Sequence, residues 1–111
     1  MTITLGNPMP TTPLPGTIQK TDEAIRAETI PPYKVIFLND DVTTMEFVIH
    51  VLITVFKKDP TTAVELMLET HNTGAAVVDV LSLEEAELRQ LQTHTAARSA
   101  GFPLRCVIEP A

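Results

Sequence analysis

"YKVIFLNDDVTTMEFVIHVL", residues 33–52, contains the handover from one regular element to the next. Its first six residues are β-branched, aromatic or otherwise apolar around one lysine, a run that predicts a strand. Further on, Val48, Val51, Leu52, Val55 and Phe56 recur at helical spacing, which predicts a helix through the stretch 45–58. Met45, Ile49 and Ile53 lie off that stripe, so the helix is either deeply buried or lends a second face to a groove. Thr43 stands three residues before Glu46, the spacing of a capping box. Between strand and helix sit Asn39, Asp40 and Asp41. Turn chemistry and the positive end of the following helix account for one or two of them. The remainder leaves a ligand site open: a divalent metal or acid/base pair, or a fixed anionic pocket for an ammonium group.

Outward from this stretch the signals continue. Asp59-Pro60 supplies an N-cap and a first-turn proline for a second helix, TTAVELMLETH, closed by Gly74. AAVVDVL reads as a second strand, and Ser82 with Glu85 as a capping box for a helix ending near Gly101. LRCVIE is the last strand. The order β-α-α-β-α-β predicts an α+β domain, a three-stranded antiparallel sheet packed against helices, over residues 33–111. Residues 1–32 hold six of the nine prolines and no aromatic residue. They predict a flexible tail, with a transient helical turn in KTDEAIRAE, because such a composition buries too little surface to offset its ordering entropy.

Composition narrows the function. The chain has 8 basic and 14 acidic residues among 111, a net charge of −6, which argues against a nucleic-acid footprint and leaves cationic partners open. No apolar run approaches the roughly 20 residues of a membrane span, and the N-terminus lacks a basic start followed by an apolar block, so a cytoplasmic protein is expected. The single cysteine, Cys106, rules out an internal disulfide and reads as a small core residue within its strand. His71, near the end of the second helix, reads as a partner of the helix dipole or a surface residue. His50 and His94 have no acidic or cysteine neighbour at ligand spacing and read as surface positions. No nucleophile elbow, P-loop or HExxH motif is present, so no catalytic residue, metal or cofactor is expected.

Taken together, the chain resembles the ClpS family, adaptors that deliver N-degron substrates to the Clp ATPase–protease. The resemblance rests on Tyr33-Lys34-Val35 and on Asn39-Asp40-Asp41-x-Thr43-x-Met45-Glu46-Phe47-Val48. It continues through Leu66-Met67-Leu68 with His71 and Gly74, then Glu84-x-Ala86-Glu87-Leu88-Arg89, and Pro103-Leu104-Arg105-Cys106. It implies that Asn39, Asp40 and His71 hold a substrate's free α-amino group, with Asp41 supporting the site and Thr43 capping the helix and touching the first peptide unit. Met45, Val48, Met67 and Leu104 would wall an apolar pocket for the first side chain. Glu84 and Arg89 would dock on the N-terminal domain of the Clp AAA+ ATPase, with residues 1–32 engaging it during delivery. The implied partners are that ATPase and N-degron peptides and proteins; no nucleic acid or membrane is implied, and a monomer suffices.

Three positions depart from the family pattern. Thr44 stands where proline is common, Asp79 where glycine is usual in the second strand, and Thr70 where the pocket is often apolar. Two other functions compete with the adaptor reading. One is an ATPase-docking modulator that redirects or inhibits substrate choice without N-degron selection, in which the pocket would be a closed core. The other is a metal-dependent hydrolase using Asp40, Asp41 and His71, for which the ligand count is short and no separate nucleophile is visible.

Overall fold

Val35 and Phe37, two residues apart on the first strand, are fully buried, and the rest of the fold closes over them. A computed structural model describes residues 30–111; the expected tail and its helical turn lie outside the described residues, apart from 30–32. The elements are β1 (Tyr33–Leu38), α1 (Met45–Thr54), α2 (Pro60–Thr73), β2 (Ala75–Leu81), α3 (Leu83–Ala100) and β3 (Arg105–Pro110). They have the predicted β-α-α-β-α-β order. The sheet is antiparallel with strand order β2-β1-β3, so β1 is central. Phe37 faces Ala76 on one side and Cys106 on the other, and all three are buried. Alternation with a period of two therefore gives the sheet one core face.

Against that face α1 places Val48, Val51 and Leu52. The α-helix ends at Thr54, four residues short of the expected stretch. Lys58 N–H then reaches back to the Leu52 carbonyl (3.0 Å), and Lys57 takes the left-handed conformation (φ 59°) that such a closing turn requires. The turn brings Phe56 into the core, where its ring meets that of Phe37 edge-on with centroids 5.5 Å apart. Asp59 caps α2 as expected, and Gly74 (φ 93°) ends it and turns the chain into β2.

Start signals were partly shifted. Ser82 caps α3 through Glu85 N–H, as the spacing implied. At α1, however, the cap is Thr44, whose hydroxyl accepts from Phe47 N–H (3.1 Å), so Thr43 and Glu46 form no capping box. The physical reason is competition, since Asp40 engages both the amide and the hydroxyl of Thr43. Glu46 remains in the first turn, favoured there by the helix dipole.

Both sheet edges carry devices of their own. Pairing of β1 with β2 slips by one residue where Val35 faces Asp79 and Ile36 faces Val77, leaving Val78 as a bulge. Beside it, Asp79 accepts from Val80 N–H (2.9 Å) and lies 3.5 Å from Lys58 Nζ. The carboxylate thus ties the bulge to the turn after α1. On the other edge, Gln90 Nε2 donates to the Cys106 carbonyl (2.8 Å) and Cys106 N–H donates to His94 Nε2 (3.1 Å). These two α3 side chains, four residues apart, satisfy the outward backbone groups of an edge strand. His94 is accordingly half-buried and structural, which corrects its reading as a surface residue. Cys106 itself is 1% exposed, and burial pushes its thiol up to about 12, so it is an inert core residue.

Truncating His94 to alanine is expected to leave a part-buried N–H without a partner, at a cost of about 1–3 kcal/mol. Thermal unfolding should register this as a fall in Tm of about 4–8 °C per kcal/mol. His50→Ala, on an exposed position, is the control and should shift Tm far less.

Candidate functional site

The loop after β1 is fixed at its first residue, where Asn39 N–H donates to the Gly74 carbonyl (2.9 Å) and prolongs the β1–β2 ladder beyond Leu38 and Ala75. Because Gly74 also closes α2, this one bond holds the last turn of α2 against the Asn-Asp-Asp loop. Asp40 then organises the loop from within. Its Oδ1 accepts from Val42 N–H (2.8 Å) and Thr43 N–H (2.7 Å), and its Oδ2 accepts from the Thr43 hydroxyl (2.8 Å). Partial burial pulls the Asp40 carboxyl upward, but these bonds from Thr43 and Val42 outweigh it and hold the group below its ordinary 3.8. A carboxylate offers about four lone-pair sites, so three are engaged and one remains.

A cavity of about 450 Å³ opens beside this loop. Asn39, Asp40, Asp41 and Thr43 line it from the loop, Met45 and Val48 from α1, and Met67, Thr70 and His71 from α2. The spacing of Met67, Thr70 and His71, three and four residues apart, puts all three on one helical face. Val48, Met67 and Thr70 are buried, whereas Asn39, Asp41, Met45 and His71 are exposed. The cavity therefore has a polar mouth and a mainly apolar interior. Asp41 and Glu46 add carboxylates to Asp40, no lysine or arginine lines the space, and none of the three takes part in an ion pair among the described residues. Such a site is complementary to a cation carrying an apolar group.

Of the residues singled out from sequence, the structure brings Asn39, Asp40, Asp41, Thr43, Met45, Val48, Met67 and His71 to this one cavity. Leu104 does not line it: at 4% exposure it lies in the same buried cluster as Val48 and Met67. Thr43 lines it while holding Asp40 rather than capping α1. Sequence reasoning missed Val42, Thr44 and Glu46 as lining residues. Their adjacency to the acidic cluster was the available signal. Glu84 and Arg89 stand apart from the cavity on α3. Arg89 is half-buried and pairs with Glu85 (3.1 Å) while donating to Gln92 (3.3 Å). Five residues separate it from exposed Glu84, which puts the two about 140° apart around the helix axis. Among the described residues no group of three or more histidine, cysteine, aspartate or glutamate side chains gathers as a metal site. None of their helices is long and apolar enough to cross a membrane.

Fold and site define a small α+β domain bearing an acid-rimmed, apolar-lined pocket. Residues 28–107 match the family model described as ATP-dependent Clp protease adaptor protein ClpS. The chain is 48% identical over 77 residues to the ATP-dependent Clp protease adapter protein ClpS of Nautilia profundicola, covering 69% of this chain and 79% of that one. It is likewise 48% identical over 83 residues to the Burkholderia cenocepacia protein of that name, covering 73% and 80%. Among solved structures it is similar to Agrobacterium tumefaciens ClpS2 bound to L-phenylalaninamide, with a TM-score of 0.71 and 40% identity over 73% of this chain and 98% of the other. The chain belongs to the ClpS family of ATP-dependent Clp protease adaptors.

The depressed Asp40 value fixes the sign of an acid effect. A carboxyl whose folded value lies below its unfolded 3.8 contributes stability that is present above 3.8 and lost as pH falls through the folded value. Thermal melts should show wild type above Asp40→Asn near about pH 6 and the gap closing toward about pH 3. A gap constant across that range would mean that the loop bonds do not stabilise the carboxylate.

Proposed function

We propose that this adaptor binds the free α-amino group and the bulky apolar first side chain of N-degron proteins and delivers them to a Clp AAA+ ATPase–protease. The observation that carries this reading is the convergence of Asn39, Asp40 and His71 at the mouth of a cavity that Met45 lines at its exposed side and Val48 and Met67 line within. The relative bound to L-phenylalaninamide supports it, because that ligand joins an α-amino group to a benzyl side chain. An open cavity of about 450 Å³ also favours it over a docking modulator with a closed core at this place.

The chemistry is that of a buried cation. An α-amino group titrates near 7.7–8.0 and is mostly charged at neutral pH, whereas an internal peptide bond carries no charge. Desolvating an ammonium is costly unless all of its donors are met. It has three, and the site offers the remaining lone pair of Asp40, the Asn39 side-chain carbonyl and a His71 ring nitrogen. Asp41 adds negative charge, and Thr43 acts through Asp40. Burying a large first side chain contributes roughly 1.5–3 kcal/mol, which favours Leu, Phe, Tyr and Trp. Val and Ile branch next to the backbone and are stiff at χ1, so they fit the mouth less well. Leu104 acts from the core, as support for Val48 and Met67. Glu84 and Arg89 on α3 dock the N-terminal domain of the ATPase, leaving the pocket free, and residues 1–32 engage it during delivery.

Fluorescence anisotropy with a labelled peptide starting in Leu or Phe tests this directly. Acetylating its terminus is expected to weaken binding by roughly 100-fold or more, because it removes the charge and leaves the acceptors that the bound peptide covers unpaired. Asp40→Ala should cost a comparable factor, and a Val-initiated peptide should bind less well than Leu. Equal binding of free and acetylated peptides would overturn the reading.

A further inference from the structure

Thr70 is 3% exposed, less than any other residue lining the cavity, and is the only buried polar one among them. Its hydroxyl donates to the Leu66 carbonyl (2.8 Å), one turn back along α2. That engages the hydroxyl's only hydrogen and leaves its two lone pairs, which accept from no group among the described residues. Thr93 on α3 makes the same bond, to the Arg89 carbonyl, but lines no part of this space. Thr70 thus differs from Thr93 in lining a cavity while its hydroxyl oxygen keeps its accepting capacity. The other two buried lining residues, Val48 and Met67, offer hydrocarbon and a thioether, which is a weak acceptor.

We propose that Thr70 is a specificity-determining residue that ranks first side chains bearing an O–H or N–H donor, tyrosine and tryptophan, above phenylalanine and leucine. The inference rests on the proposed binding of N-terminal residues in this pocket. With a valine in its place, the interior would rank these side chains by size and shape alone. With threonine, a phenol or indole gains an acceptor in a desolvated place, and a purely hydrocarbon side chain leaves that oxygen without a donor. Since the free lone pairs belong to a hydroxyl already satisfied as donor, the discrimination is modest in size. The polarity of the required partner is unambiguous, because an acceptor-only ligand group gains nothing.

The test compares otherwise identical peptides starting with Tyr or Phe, in competition anisotropy, on wild type, Thr70→Val and Thr70→Ser. Wild type is expected to hold the Tyr peptide roughly 3- to 10-fold more tightly than the Phe peptide. Thr70→Val should bring that ratio to one or below, through weaker Tyr and tighter Phe binding, while Thr70→Ser, which keeps the hydroxyl, should retain it. Melting curves establish that each variant folds. A Tyr/Phe ratio that is the same in Thr70→Val, or a wild-type preference for Phe, overturns the role of Thr70 alone. If wild type binds neither peptide, or binds acetylated forms equally, the reading of the pocket falls and this inference with it.

Discussion

The bond from Asn39 N–H to the Gly74 carbonyl joins two features that are 35 residues apart in the chain and must be adjacent for a site to exist. On one side is the end of the central strand, committed to its position by Val35 and Phe37 in the core. On the other is the C-terminus of α2, where a left-handed glycine reverses the chain into β2. Any slip in the β1–β2 register near this end would separate the acidic loop from Met67, Thr70 and His71. The bulge at Val78 lies farther along the strand pair, so its irregularity is kept away from the site. Leu38, Phe37 and Ile36 pair in regular register with Ala75, Ala76 and Val77 up to the loop.

Once placed, the loop is made rigid by a carboxylate rather than by packing. Asp40 accepts three bonds from its own loop, and this internal use is compatible with a ligand role because a carboxylate has lone pairs to spare. The arrangement also displaces the helix cap by one residue, from Thr43 to Thr44. Meanwhile the β3 edge of the sheet is closed by α3, through Gln90 and His94 on the Cys106 backbone. Site and edge closure thus lie on different elements.

Much of this was legible in the sequence because it is local. Strand alternation, the Asp59-Pro60 start, the Ser82 cap and the glycines ending α2 and α3 depend on residues a few positions apart. The acidic cluster was conspicuous because a turn alone does not need three such residues. What escaped notice depends on competition or on distance. Thr43 and Thr44 are equally good caps in isolation, and only the Asp40 geometry decides between them. His94 finds its partner twelve residues away on another element, and its i,i+4 relation to Gln90 does not reveal which backbone the pair will meet. Leu104 offers a different lesson: an apolar residue next to a pocket-forming set can be part of the core beneath rather than of the wall.

The polar mouth and apolar interior also constrain each other energetically. An ammonium alone would gain little at the exposed rim, where water competes for Asp40, Asn39 and His71. An apolar side chain alone would gain burial but would have no reason to be terminal. On the proposed reading each part corrects the other. Seating the first side chain excludes water from the rim and strengthens the ammonium contacts, while those contacts reject the same side chain in the middle of a polypeptide. On that reading His71 serves as one of the acceptors at the rim, lining the same cavity as Asn39 and Asp40. Recognition of a chain end is then a property of the two halves together, and a substitution in either half should change selectivity as well as affinity.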